Sequence, residues 1–362
     1  MLKLNSDQVL WFYIAFIVCA VLFSFLINGL FLKFSRTLGV KDQAESMVRW
    51  SSVSKPALGG LSFYILFLFS IACYSILFEA VNYANDIVRF LGVVAACSLG
   101  FIVGLADDAY NTKPFLKFFA QVSSAIILIA TGTSINISGI IIIDYSLTIL
   151  WVVGLMNSIN MLDNMDGITT TVSISVILAV IYMLISKGEV LSLYFITMLG
   201  VLSALIGFLY YNWSPSKMYM GDTGSQFLGV FLAAIGILYL WNGHAEADFR
   251  IQTKQFIVAL LVFIVPIIDT TTVTISRLLK GQSPFVGGKD HTTHHLSYLG
   301  LSNSQVTLAF FGLSLLSVVF LIIIDQFIER WEFFHFWLFL GYFLILFIFL
   351  FGITRINKEK QA

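Results

Sequence analysis

The chain has 362 residues, 59% of them hydrophobic and 11% charged, and its 20 basic and 20 acidic side chains balance to zero formal charge. Soluble domains run about 45–50% apolar and about 25% charged. A soluble core of this length cannot hide so much apolar surface, and the mean hydropathy of +0.92 identifies a polytopic membrane protein. Cys19, Cys73 and Cys97 all lie in apolar runs without metal-ligand spacing, so they form neither a disulfide framework nor a metal site and are packing residues.

Eleven apolar stretches predict an all-α fold of about eleven transmembrane helices: 9–32, 58–78, 87–106, 115–133, 145–161, 168–186, 190–211, 224–241, 256–278, 303–324 and 333–354. The first run is too long for the apolar core of a signal peptide, about 7–15 residues, and reads as a helix that stays. An odd number of spans puts the termini on opposite faces. With the N-terminus external and the C-terminus cytoplasmic, external segments hold six of the 20 basic residues (Lys3, Arg89, Lys187, Arg250, Lys254 and Arg330) and the other 14 fall inside. That is the bias expected of a positive cytoplasmic face. We expect one integral membrane domain, 1–362, with cytoplasmic loops at about 33–57, 107–114, 162–167, 212–223 and 279–302. Gly281, Pro284, Gly287 and Gly288 mark the last as a loop.

This topology gathers the acids at one face. Asp107 and Asp108 lie where the third span exits, Asp163 and Asp166 follow the fifth, Asp222 precedes the eighth, and His291, His294 and His295 follow the ninth. Ionisable groups at a bilayer are costly and usually functional. Paired carboxylates can hold a hard cation, or tune one another's basicity. A solvated helix end is the plainer reading of Asp107-Asp108. Lys113 and Lys117 argue against it, because carboxylates for a metal and lysines for phosphate oxygens are what phosphoryl transfer uses. Asn157, Asn160 and Asn164 share a helical face, where polar helix–helix bonding is the alternative. Gly221-Asp222-Thr-Gly-Ser225 opens a span, either as an anion site with a cation-holding Asp or as a simple N-cap by Asp222 or Thr223. The three clustered histidines suit a pyrophosphate or substrate phosphate better than zinc, since no cysteine accompanies them and the nearby acids suit magnesium; a solvated loop is the plainer reading. His244 and His335 sit at the external side and need no function. Asp269 lies inside the ninth span, eight residues or about 12 Å of helix before Arg277; it faces the cavity or bonds to another helix. A transporter is the rival class, but its site would lie near the midplane between inverted repeats.

The motifs Pro56-Ala-Leu-Gly59-Gly60, Asp107-Asp108-Ala-Tyr-Asn111-Thr-Lys113-Pro114-Phe-Leu-Lys117-Phe-Phe-Ala-Gln121, Asn157…Asn160…Asp163…Asp166-Gly167, Gly221-Asp222-Thr-Gly-Ser225, Pro266-Ile-Ile-Asp269-Thr270, Arg277 and the histidine loop come in an order that spans most of the chain. Together they resemble the polyprenyl-phosphate N-acetylhexosamine-1-phosphate transferases, the MraY/WecA-like family or glycosyltransferase family 4. The resemblance implies transfer of a sugar 1-phosphate from a UDP-sugar to undecaprenyl phosphate with release of UMP. It implies Mg²⁺, with Mn²⁺ as an alternative, on Asp222 and Asn160. Asp107 and Asp108 carry over as catalytic, Lys117 as a diphosphate contact, Asn111 as a nearby polar contact and Tyr219 as the ring against uracil. Asp163, Asp166, Asp269, Arg277, His291, His294 and His295 carry over as substrate-binding.

The implied partners are the two substrates and the lipid bilayer, with no nucleic acid and a homodimer as one admissible assembly. The implied location is the bacterial inner (plasma) membrane, with the active site at its cytoplasmic face. Two departures stand out. The family's HxHH is Thr292-Thr293-His294-His295 here with His291 displaced by one, and Asn164 replaces the first Gly of DGxDG. Eleven spans with a cytoplasmic C-terminus resemble the WecA/TagO-like branch and point to UDP-N-acetylglucosamine as donor. UDP-MurNAc-pentapeptide or another UDP-N-acetylhexosamine is the alternative.

Overall fold

The computed structural model describes residues 6–37, 55–77, 84–243, 253–283 and 288–356. The expected loop residues 38–54 and 284–287, and His244, lie outside the described residues. The helices in chain order are α1 (Ser6–Thr37), α2 (Gly59–Leu77), α3 (Ala84–Tyr110), α4 (Pro114–Ala130), α5 (Ile141–Leu162), α6 (Ile168–Ser186), α7 (Leu193–Asn212), α8 (Gly221–Gly236), α9 (Thr253–Val262), α10 (Ile264–Leu279), α11 (Thr292–Tyr298), α12 (Asn303–Gln326) and α13 (Phe333–Ile356). A π-helical turn, Ile237–Trp241, prolongs α8. The fold is all-helical, as expected; the extended pairing among the described residues is one parallel bridge between Ala57 and Tyr219. Among the described residues nine helices are long and apolar enough to cross a membrane, or ten if α9 and α10 form one bent span. The remaining expected stretch forms α4, whose 17 residues fall short of the roughly 20 that cross the hydrocarbon upright.

The expected ninth span is two helices, bent by 79° at Phe263. Pro266 explains the break. It has no N–H to give to the carbonyl of Val262, and its ring would collide with that carbonyl if the helix ran on. The bend turns α10 and Asp269 into the protein.

α8 is the axis of the bundle and almost wholly enclosed, whereas α1 and α13 keep long apolar faces outward. Small residues bring its neighbours close. A Cβ at Gly60 in α2 would strike the backbone of Gly224, and one at Gly104 in α3 would strike the backbone of Asp222. Glycine at such crossings lets helix backbones touch. α2 and α3 therefore press on the first turn of α8, the turn that carries Asp222.

Candidate functional site

Gly221 adopts a left-handed φ of 74°, which turns the chain sharply into α8. The backbone N–H groups that a helix start leaves unbonded must find acceptors. Here they come from another helix. Asp108 accepts from the backbone N of Asp222 at 2.9 Å, the N of Thr223 at 2.8 Å and the Oγ1 of Thr223 at 2.6 Å. The N-cap residue itself, Met220, offers no side-chain bond. The simple cap by Asp222 or Thr223 is thus corrected: Asp108 caps α8 from α3, and the carboxylate of Asp222 is left for other work.

That carboxylate faces Lys117 of α4. The ammonium Nζ lies 3.0 Å from Asp222 Oδ2 and 3.2 Å from Asp107 Oδ2, so one lysine joins two acids from separate helices. Asp107 is held from its other oxygen by the N and Oγ1 of Thr112. Asn160 of α5 bonds the remaining oxygen of Asp222, and also Ser225 Oγ at 2.8 Å. Below them Gln121, Asn157 and Gln226 form an amide chain between α4, α5 and α8. Asn160 and Asn157 therefore serve different layers. Asn164 does not share their helical face, as α5 ends at Leu162 and Asn164 sits in the following turn.

Asp107 and Asp108 belong to the last turn of α3, so the expected 107–114 loop shortens to Asn111–Lys113. Asn111 makes that turn, with φ of 50°, a conformation asparagine tolerates better than most residues. Its neighbour Thr112 is the residue that reaches Asp107.

After α5, Asp163 sits in the same polar layer. Burial, then the charges of Asp222 and Asp108, push its carboxyl up to about 7. Asp166 instead ties down the stretch before α8. Its oxygens accept from Ser216 Oγ at 2.6 Å and Ser216 N at 3.0 Å, and Lys55 Nζ lies 3.7 Å away. Lys55 also sits 5.0 Å above the Tyr219 ring. Tyr219 is fixed by backbone bonds to Pro56 and Gly59. Asn212 completes the frame by accepting from Gly167 N and donating to Met218 O.

The histidine segment is a short helix, α11, where the sequence suggested a loop through 279–302. Asp269 Oδ2 lies 2.8 Å from His291 Nδ1, and its Oδ1 accepts from Thr292 N at 2.9 Å. Of the two readings of Asp269, bonding to another element is the one observed. Arg277 grips Asp290 with two bonds, Nε–Oδ2 at 2.9 Å and a terminal nitrogen to Oδ1 at 2.7 Å. Burial opposes ionisation of Asp290, yet the Arg277 guanidinium holds its carboxyl below the usual range. Burial and then His291 bring the His294 imidazole down to about 4, so it is neutral near pH 7. Burial also lowers His295. Thr293 Oγ1 donates to Asn164 Oδ1 at 2.7 Å, which docks α11 on the turn that carries Asp163.

The expected residues thus fall into three linked groups: Asp107, Asp108, Lys117, Asn160 and Asp222; Asp166 with Tyr219; and Asp269, Arg277 and the three histidines. Asp163 and Asn164 lie at their junction. Asn111 is outside, making a turn. Lys55, Thr112, Asn212, Ser216 and Asp290 were not singled out from sequence. Lys55, immediately before Pro56, and Asp290, immediately before His291, adjoin motifs that were.

Among the described residues no three His, Cys, Asp or Glu side chains converge as a closed metal site. Two carboxylates with an amide oxygen nearby suit a hard cation that takes its other ligands from phosphates and water, as magnesium does.

Residues 90–240 match the family model described as glycosyl transferase family 4. The chain is 27% identical over 315 residues to a probable undecaprenyl-phosphate N-acetylglucosaminyl 1-phosphate transferase of Bacillus subtilis, covering 84% of this chain and 83% of that protein. It is 27% identical over 274 residues to the decaprenyl-phosphate N-acetylglucosaminephosphotransferase of Mycolicibacterium smegmatis, covering 70% and 68%. It is 31% identical over 287 residues to a phospho-N-acetylmuramoyl-pentapeptide-transferase of Staphylococcus aureus, covering 72% and 82%.

Proposed function

The chain belongs to glycosyl transferase family 4, and from that premise we propose that it transfers N-acetylhexosamine 1-phosphate from a UDP-sugar to undecaprenyl phosphate, releasing UMP. The donor we propose is UDP-N-acetylglucosamine, in keeping with the breadth of the match to the Bacillus subtilis protein. The observation that carries this reading is Lys117 held between Asp107 and Asp222. It is a cation at the meeting point of three helices, at the end of the bundle where a lipid phosphate and a water-borne nucleotide can both arrive. We place that end at the cytoplasmic face of the bacterial inner membrane and treat residues 1–362 as one transferase domain.

The roles follow from the contacts. Both oxygens of Asp108 are spent on the start of α8, so it positions Asp222. Asp107, anchored by Thr112 through one oxygen, presents the other either as an acceptor for the proton of the lipid phosphate or as a nucleophile toward the β-phosphate of the UDP-sugar, with UMP as the leaving group. Lys117 offsets the negative charge of the diphosphate. Asp222 and Asn160 would hold Mg²⁺, which when bound polarises phosphoryl oxygens and stabilises the departing UMP. Tyr219 provides an aromatic face for the uracil, with Lys55 and Asp166 framing it. The histidine helix closes the nucleotide side next to Asp163.

The test is UMP release by the purified protein in detergent, given undecaprenyl phosphate, Mg²⁺ and a panel of UDP-sugars. Lipid-dependent release with UDP-N-acetylglucosamine is the expected result. Release only with UDP-MurNAc-pentapeptide would keep the reaction and change the donor. No release with any donor, from folded protein, would overturn the assignment. UMP exchange in the absence of lipid acceptor would mark Asp107 as a nucleophile.

A further inference from the structure

A fully buried carboxylate in a membrane-spanning helix is expensive. Taking an ion out of water is costly, and pairing offsets that cost only with good geometry and further hydrogen bonds; such residues persist where they have a task. Asp269 is such a group: its side chain is 0% exposed. One visible task is to cap α11, by accepting from the N and Oγ1 of Thr292 through Oδ1. Asn or Ser would cap a helix as well without a charge. The cap therefore does not account for a carboxylate.

The second oxygen does. Oδ2 lies 2.8 Å from His291 Nδ1. A carboxylate can only accept, so it holds the proton on Nδ1 and leaves Nε2 as the nitrogen available to a ligand. The neighbouring acid, Asp290, is engaged twice by Arg277, which leaves the imidazole to Asp269. His294 stands edge-on against the same ring, with centroids 5.4 Å apart, and fixes its plane. The oriented ring sits at the first residue before α11, and α11 is docked through Thr293 on Asn164, one residue from Asp163.

We propose that Asp269 is a positioning residue for His291. It sets the Nδ1–H tautomer and aims the lone pair of Nε2 at a hydroxyl of the sugar nucleotide, from which His291 accepts a hydrogen bond. Of the three histidines, His291 is then the working one, while His294 packs against its ring and His295 against Tyr298. This inference rests on the transferase reading for the identity of the ligand, but the dyad itself has a readout that does not need turnover.

Asp269→Asn separates the two tasks. The amide oxygen still caps Thr292, but its NH₂ now faces His291 Nδ1 and donates to it, which moves the ring proton to Nε2. The reversal of an imidazole by an Asn that replaces its orienting Asp is a known way to lose rate with geometry intact. The experiment uses full-length protein in detergent with ¹⁵N-labelled histidine, at a pH where the imidazole is neutral. The His291 signal is identified by its loss in His291→Gln. In wild type the proton should be on Nδ1; in Asp269→Asn it should be on Nε2. The same variant should lose roughly 100-fold in kcat with an unchanged melting temperature, and should cost nothing further when added to His291→Gln. Asp269→Ala, which also removes the cap, should lower the melting temperature as well. A proton that stays on Nδ1 in Asp269→Asn, a wild-type kcat, or an equal cost in both backgrounds would overturn the dyad. If wild type releases no UMP with any donor, the transferase reading falls, and the ¹⁵N signals still decide the dyad.

Discussion

The two halves of the site treat charge in opposite ways. At the rim formed by α3, α4, α5 and α8, two acids share one lysine, and side chains keep some access to solvent: 10% for Asp107, 22% for Asp222 and 17% for Lys117. At the histidine helix each acid has its own hydrogen-bonding partner. Arg277 and Asp290 pair one to one, Asp269 meets His291, and Asp269 is sealed at 0% and Arg277 at 5%. The first half has two carboxylates for one ammonium and so holds spare negative charge for an incoming cation. In the second half both acids are already bonded through each oxygen, Asp290 by Arg277 and Asp269 by Thr292 and His291, and gain little from another ion. One region is built to bind charge, and the other to hold α11 and the His291 ring in a fixed orientation.

The largest test of that contrast is Asp222→Asn. An amide keeps the size of the side chain and its bond to Asn160, but removes half of the negative charge facing Lys117. Turnover should fall roughly 100-fold or more, as expected when several kcal/mol of transition-state stabilisation are lost. The melting temperature should hold or rise, since a buried acid without its own partner is removed. Rates of UMP release together with thermal melts decide it; near-normal turnover would show that the open half is not where charge is bound.

Arg277→Lys probes the fully bonded half. Lysine keeps the charge but cannot form the two-pronged grip on Asp290. The loss should be about 1 to 2 kcal/mol in ordering α11, which is roughly tenfold in the KM for the nucleotide, with kcat within about twofold of wild type. A collapse of kcat with KM unchanged would instead place Arg277 on the reacting phosphates and blur the distinction between the halves.

Much of this arrangement was legible in the sequence because it depends on local pattern. The apolar runs give the helices, and Asp107, Asp163, Asp222 and His291 all flag one end of the bundle through their positions along those runs. What was not legible depends on contacts between elements far apart in the chain. Asp108 looks like the twin of Asp107, yet only the packing of α3 on α8, through Gly104, shows that it caps another helix. Asp269 could have faced a cavity or a neighbour, and only the bend at Pro266 brings it to His291. Lys55 carries no motif of its own; it joins the site because Tyr219 and Ala57 pair as strands do. The 79° bend itself was missed because Pro266 sits inside an otherwise unbroken apolar run, where hydropathy alone cannot distinguish a kinked helix from two.

Asp163 lies on the border of the two halves, and its titration gives the finest test of which half it joins. Its carboxyl ionises at about 7 in the folded protein against 3.8 ordinarily, through burial and the charges of Asp222 and Asp108. Between those values the folded state binds a proton that the unfolded state has released. Stability from this group is therefore complete below about pH 4 and is lost as the pH rises through about 7. In magnesium-free detergent the melting temperature should fall between about pH 4 and about pH 7, and Asp163→Asn should flatten that slope without changing the fold. Restoring Mg²⁺ should also flatten the wild-type slope, because a cation beside Asp222 cancels part of the charge that keeps Asp163 protonated. A slope that responds to the mutation but not to the ion would assign Asp163 to the closed, shape-holding half, whereas a response to both assigns it to the half that binds charge.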